Sequence, residues 1–183
     1  GNASGTGDFT IAAPNSNTDR TLTLPDETGT LALVGAGEYM HVRHEKTTGS
    51  HGGASVAGWN TRLLNTVVTN TISGASLATN QITLPAGTYR ISSHAPGYAV
   101  NIHRLVLYNV TDSSYAIIGT PDYANFTGGN YCRSFVDGQI TIVGTKVFEL
   151  RHEMNTANGN GFGLGNSDGL VEVFAVIEIE RQA

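Results

Sequence analysis

Residues 170–181 read Leu170-Val171-Glu172-Val173-Phe174-Ala175-Val176-Ile177-Glu178-Ile179-Glu180-Arg181. Val171, Val173, Ala175, Ile177 and Ile179 recur at every second position, which on a strand puts all five on one face, as the interior of a β-sandwich demands. The opposite face carries Glu172, Phe174, Val176, Glu178 and Glu180. Phe174 and Val176 would meet water there on a lone subunit, and covering two such side chains is worth roughly 3 to 6 kcal/mol. The strand therefore predicts an all-β fold and a subunit interface at Phe174 and Val176. Single apolar residues are common on surfaces, so ordinary exposure is the competing reading.

Outward from this segment the same period-two alternation recurs, and helical spacing is hard to find over any window of a dozen residues. It predicts further strands at residues 39–46, 63–71, 81–84, 87–94, 101–110, 115–118, 133–143 and 146–153. Eight or nine strands suggest a sandwich, and a jelly roll is a common way to close one. Charged residues are only 14% of the chain, yet 39% are hydrophobic, so a core can be filled and the recipe for disorder does not apply. Before Glu38 the elements are shorter, near Phe9–Ala12, Thr21–Leu24 and Thr30–Leu33, with turn-rich segments between them. So small a unit cannot bury its own apolar face, and such segments are stable when intertwined with copies of themselves.

Sorting the connections by parity along an antiparallel chain separates them by length. Pro85-Ala86, Thr111–Ser114 and Gly144-Thr145 are short and fall at one end; Thr47–Gly58, Ala95–Val100, Gly119–Cys132 and Asn155–Gly169 are long and fall at the other. Long irregular loops in compact domains are often functional. These carry Tyr98, Tyr123, Asn125, Phe126, Tyr131, Asn158, Asn160 and Phe162. Tyrosine and phenylalanine offer flat apolar area and asparagine offers a donor and an acceptor together, the two things a pyranose ring needs. The bland reading is that Asn and Gly supply turn conformations while Tyr123 and Phe126 pin their loop to the body.

Two resemblances add to this. Asp8 to Leu33, DFTIAAPNSNTDRTLTLPDETGTLAL, resembles the "APN…DRTxTLPDxTGTLxL" element of bacteriophage tail-fibre proteins, commonly found just ahead of a distal domain. The resemblance implies that residues 1–37 are the end of a fibre shaft and a hinge at Val34-Gly35-Ala36-Gly37, and that residues 38–183 are a head. The head in turn resembles the tumour necrosis factor and complement-head superfamily in its segment order: Gly58–Asn65 (GWNTRLLN), Leu84–Ile91 (LPAGTYRI), Arg104–Asn109 (RLVLYN) and the closing strand. That implies a homotrimer, with Phe174 and Val176 near its axis. The chain departs from the superfamily in lacking a Gly-X-Y stalk and a Phe-Ser-Gly-Phe in the closing strand.

Other constellations are weaker. The net charge is −5, and Lys46 and Lys146 are the only lysines among ten basic residues, so no basic stripe exists for nucleic acid. Cys132 is alone, which excludes an internal disulfide and paired-Cys zinc sites. No apolar run approaches the ~20 residues of a membrane helix. The start at Gly1 suggests a piece of a longer polypeptide. Gly165-Asn166-Ser167-Asp168-Gly169 matches G-x-S-x-G, but a strand follows it and no histidine lies downstream, so it reads as a turn. His41 and His44 point to opposite faces of a strand and cannot share an ion; three copies of His44 or His152 on a trimer axis could, although pairing with Glu178 and Glu180 across an interface is the favoured reading. The EF-hand spacing is absent. No metal or other cofactor is expected.

The sequence thus reads as a non-enzymatic, extracellular adhesin, the receptor-binding tip of a tail fibre on the virion, recognising a bacterial surface glycan or outer-membrane receptor through its loop-rich end. A structural fibre or capsid-decoration head without ligand is the alternative. A polysaccharide depolymerase is disfavoured, because the long loops hold few acids (Asp122, Asp168) and glycoside hydrolysis usually needs a carboxyl pair.

Overall fold

The computed structural model describes residues 37–182, so the shaft assignment and most of the expected hinge lie outside the described residues. Eleven strands follow in order: β1 (Glu38–Lys46), β2 (Gly58–Thr61), β3 (Thr66–Asn70), β4 (Ser76–Ala78), β5 (Gln81–Leu84), β6 (Gly87–Tyr98), β7 (Asn101–Asn109), β8 (Ser114–Ala124), β9 (Tyr131–Ile142), β10 (Lys146–Met154) and β11 (Glu172–Arg181). They form two antiparallel sheets, one in the order β3-β1-β11-β6-β9 and one in the order β4-β5-β10-β7-β8, with β2 also paired to β10. β2 pairs with Arg151–Met154 of β10 and β5 with Lys146–Glu149, so the two short strands share one side of it end to end.

Alternation accounts for the core. Met40 and Val42 of β1, Tyr89, Ile91 and Ala95 of β6, and Ala175, Ile177 and Ile179 of β11 point inward from one sheet. Ile82, Leu84, Leu105, Leu107, Phe148 and Leu150 meet them from the other. The facing sheet surfaces of a sandwich become its interior because each strand places its apolar period-two set on that side.

The closing strand corrects the expectation in one respect. Arg43 pairs with Val176 but Glu45 pairs with Val173, so Phe174 and Ala175 together oppose the single residue His44. This β-bulge shifts the alternation by one, and residues on its N-terminal side change face. Phe174 is 1% exposed, inside its own subunit and packed against the tilted His44 ring with centroids 5.4 Å apart, so it is not a surface contact near an axis. Val171, expected inside, is exposed, and Val173 is half-buried. Val176 remains on the outward face of the sheet, half-buried. His44 and His152 are buried within the subunit too, which removes both the axial-metal and the cross-interface roles considered for them.

The strands are also longer than alternation alone suggests. β6 and β7 are separated only by residues 99–100, and β8 and β9 only by 125–130, so two of the expected long loops shrink. In place of one strand at 63–71 there are β2 and β3, with Arg62 and Leu64 buried between them.

On the β8–β9 side the two sheets are joined. The Ser134 hydroxyl donates to the Thr120 carbonyl at 2.6 Å and accepts from the Leu105 amide at 2.8 Å. Gly119 sits in this seam, where an added Cβ would collide with the carbonyl oxygens of Phe135 and Leu105. Gly119→Ala is expected to cost about 1 to 3 kcal/mol in urea denaturation, as overpacking against rigid backbone does. Gly144→Ala, at a site with nothing within 4 Å, should stay within about 0.5 kcal/mol and serves as the control.

Candidate functional site

The connections gather as their parity predicts. The segments 47–57, 99–100, 125–130 and 155–171 interlock at one end. The Ser55 amide donates to the Asn158 carbonyl at 2.9 Å and the Asn158 amide returns a bond at 3.2 Å. Gly52 donates to the Gly163 carbonyl at 2.9 Å, and Ala99 donates to that of Asn130 at 2.9 Å. Glu172, buried at the head of β11, accepts at one carboxylate oxygen from the amides of Gly49 (2.8 Å), Asn166 (2.7 Å) and Ser167 (3.2 Å). Those amides, led by that of Gly49, hold its carboxyl below the usual range. The G-x-S-x-G segment is thus a turn wrapped on a carboxylate, and among the described residues no histidine is hydrogen-bonded to Ser167.

The eight loop-end residues divide by environment. Tyr123 (52% exposed), Phe126 (47%) and Tyr131 (38%) present aromatic surface to solvent. Tyr123 and Tyr131 sit on the ends of β8 and β9 rather than on loops, and Tyr131 pairs across the sheet with half-buried Tyr98, ring centroids 6.5 Å apart. Phe162 is a correction: at 6% exposed it lies under the loops, its ring 4.2 Å from the Arg62 guanidinium carbon, and has little surface to offer a receptor. Two asparagine side chains are taken up by the backbone of the loop end. The Asn125 amide oxygen accepts from the amides of Thr127 (3.0 Å) and Gly128 (3.3 Å); that of Asn158 accepts from Asn160 (2.8 Å), while its nitrogen donates to the Ala99 carbonyl (3.3 Å). The half-buried Asn160 makes no side-chain hydrogen bond to the described residues.

Beneath this end lies a buried polar layer that sequence reasoning missed. Arg62 is fully buried and donates to the carbonyls of Pro96 (3.3 Å) and Phe162 (3.2 Å), with no carboxylate ion-paired to it among the described residues. Burial pushes its pKa down to about 9, so it stays a cation at neutral pH. Beside it in sequence order run three buried histidines: His44, and the pair His103 and His152, whose Nδ1 and Nε2 lie 2.9 Å apart. Burial, reinforced by the Arg62 charge, holds all three below the ordinary histidine value, His44 at about 4. Among the described residues no group of three His, Cys, Asp or Glu side chains is arranged to hold a metal ion.

A second surface was also missed. On the outward face of the six-stranded sheet, β2, β10, β7 and β8 align Trp59, Glu153, Arg104 and Pro121 in one cross-strand row. The Trp59 ring lies 5.5 Å from that of Tyr115, which meets Tyr108 edge-on at 5.5 Å. Two shallow depressions flank the indole. One, about 130 Å³, is lined by Trp59, Arg104, Val106, Tyr115 and Ile118; the other, about 300 Å³, by Trp59, Ile102, Arg104, Pro121 and Glu153. A lone tryptophan was the available sequence signal, but its neighbours come from three other strands.

No protein-family model matches the chain, and no curated protein matches its sequence. Solved structures do match by shape. The crystal structure of murine APRIL at pH 8.5 aligns with a TM-score of 0.55 at 9% identity, over 80% of this chain and all of that one. The structure of Eiger TNF from S. frugiperda aligns with a TM-score of 0.56 at 11% identity, over 80% of this chain and 93% of that one. At such identities the likeness carries the fold alone: this chain folds as a jelly roll of the tumour necrosis factor type.

Proposed function

We propose that this chain is the receptor-binding head of a trimeric bacteriophage tail fibre, a non-enzymatic adhesin displayed on the virion that grips a bacterial surface glycan with its loop-bearing end. The observation that carries the reading is the exposed aromatic set Tyr123, Phe126 and Tyr131, presented at the end where four connections interlock. The Asp8–Leu33 element supports the fibre context. Association is supported by the outward face of the five-stranded sheet, where Arg43, Val176, His94 and Phe135 form one cross-strand row and Phe135 is 51% exposed. Three linked copies of a weak site raise avidity by roughly 100-fold or more without new contacts.

The combined replacement of Tyr123, Phe126 and Tyr131 by alanine is expected to reduce adsorption to host cells at least about ten-fold while leaving the circular dichroism spectrum unchanged. Undiminished adsorption moves the site elsewhere. Light scattering should give about three times the 19.2 kDa chain mass, and a folded lone subunit would contradict the trimer. A structural cap without ligand is the second reading, favoured by the Asn125 and Asn158 amides being used within the loop-bearing end itself; it expects no host-cell binding by the wild-type protein.

A further inference from the structure

We propose that the groove around Trp59, on the flank of the head, is a second saccharide site that takes one neutral pyranose unit against the indole. The inference rests on the glycan-binding reading of the head but places contact on a different surface. Trp59 is 43% exposed and held against Tyr115, so its indole forms a fixed apolar plane bordered by two depressions. A pyranose ring has an apolar C–H face that such a plane desolvates, while its hydroxyls at the ring edge need partners of both kinds. Arg104 and Glu153 supply them. They are register neighbours in the same row as Trp59, and neither is ion-paired or hydrogen-bonded through its side chain to the described residues. The guanidinium offers donors only and the carboxylate acceptors only, and their charges cancel, which matches a neutral sugar better than an acidic or basic one. Arg151 is already committed, paired to Glu149 at 2.9 Å and lying over the Tyr108 ring at 3.5 Å, and it lines neither depression. Ile102, which lines the larger depression, pairs in register with Tyr123, so the groove adjoins the loop-end aromatics.

A second copy of the chain is the rival occupant. Two small depressions that share an indole and a guanidinium suit a ring with edge hydroxyls better than a flat apolar counter-surface, and the row at Val176 and Phe135 offers association a different sheet.

Trp59 is the only tryptophan in the chain, so acrylamide quenching of its fluorescence reads this groove and nothing else. The probes are the methyl glycosides of glucose, galactose, mannose, N-acetylglucosamine and rhamnose at millimolar concentration, with methyl glucuronide as the charged control. At least one neutral glycoside should lower the quenching constant saturably, by about two-fold, as burial of the indole under a bound ring implies. Arg104→Ala and Glu153→Gln should each abolish that protection. The Tyr123, Phe126 and Tyr131 alanine variant should retain it, so failure of the loop-end reading and failure of this one are told apart. The proposal is overturned if no neutral glycoside protects, or if only the glucuronide does. It is equally overturned if the free protein is already protected and loses that protection on dilution, which would identify a second copy as the occupant.

Discussion

Arg62→Ala is expected to lower the unfolding free energy by about 3 to 5 kcal/mol, the range for truncating a large buried side chain, and hence the melting temperature by roughly 6 to 20 °C for a chain of this size. The alanine opens a cavity under the loop end, leaves the carbonyls of Pro96 and Phe162 without their donors, and removes the cation that lies against the Phe162 ring. Arg62→Met should behave differently. The native guanidinium is itself costly, because burial depresses its pKa to about 9 and no carboxylate among the described residues is paired with it. Methionine fills most of the volume without a charge to desolvate. Its gain there opposes the loss of two hydrogen bonds, and the variant should stand within about 2 kcal/mol of the wild type. Equal destabilisation of the two variants would show that the charge, not the volume, is what the site requires.

Acidification from about pH 6.5 to about pH 4 is expected to cost on the order of 3 kcal/mol through His44 alone. Its folded pKa is about 4, set first by burial and then by the charges of Arg62 and Lys46, against an unperturbed value of 6.5. Between those values the unfolded chain binds the extra proton, so stability is complete above 6.5 and is lost as the pH falls through the folded value. His103 and His152 act with the same sign. The lowered carboxyls of Glu38, Glu149, Asp168 and Glu172 also give up stability in acid, but they do so below their ordinary values of 4.5 for the glutamates and 3.8 for the aspartate, which leaves the upper window to the histidines. Urea midpoints measured in steps from about pH 7.5 to about pH 4.5 should fall, and His44→Leu should flatten the slope by up to one proton. Parallel curves for the two proteins would exclude His44 as a source of the acid sensitivity.

What alternation states locally was legible, and what partners impose was not. The inward sets of β1, β6 and β10 follow from their sequences, and the clustering of the connections at one end follows from their order. The bulge at Phe174 and Ala175 does not, because it exists only relative to His44 on the neighbouring strand. The strands expected at 87–94 and 115–118 stop short of Pro96 and Pro121, which β6 and β8 include. Pro121 is tolerated because β8 is the edge of its sheet, and Pro96 because the β11 pairing of β6 stops at His94. Phe162 looked like a receptor contact because its loop is polar and glycine-rich; its partner Arg62, a hundred positions away, draws it inside. The Trp59 groove was illegible for the same reason, since the residues beside the indole come from β10, β7 and β8.

The hydroxyl of Ser134 on β9, bonded across the seam to β8 and β7 of the other sheet, bears on how the molecule behaves when crowded. An unpaired strand margin is a template on which a neighbouring chain can add, and particles that display many copies side by side are most exposed to that error. Here β8 and β9, which would otherwise be the long open margins, are tied to each other by Ser134 and Thr120. The opposite margins are β3, β4 and β2, only five, three and four residues long. A sandwich sealed in this way can be packed densely without its copies zipping into one another.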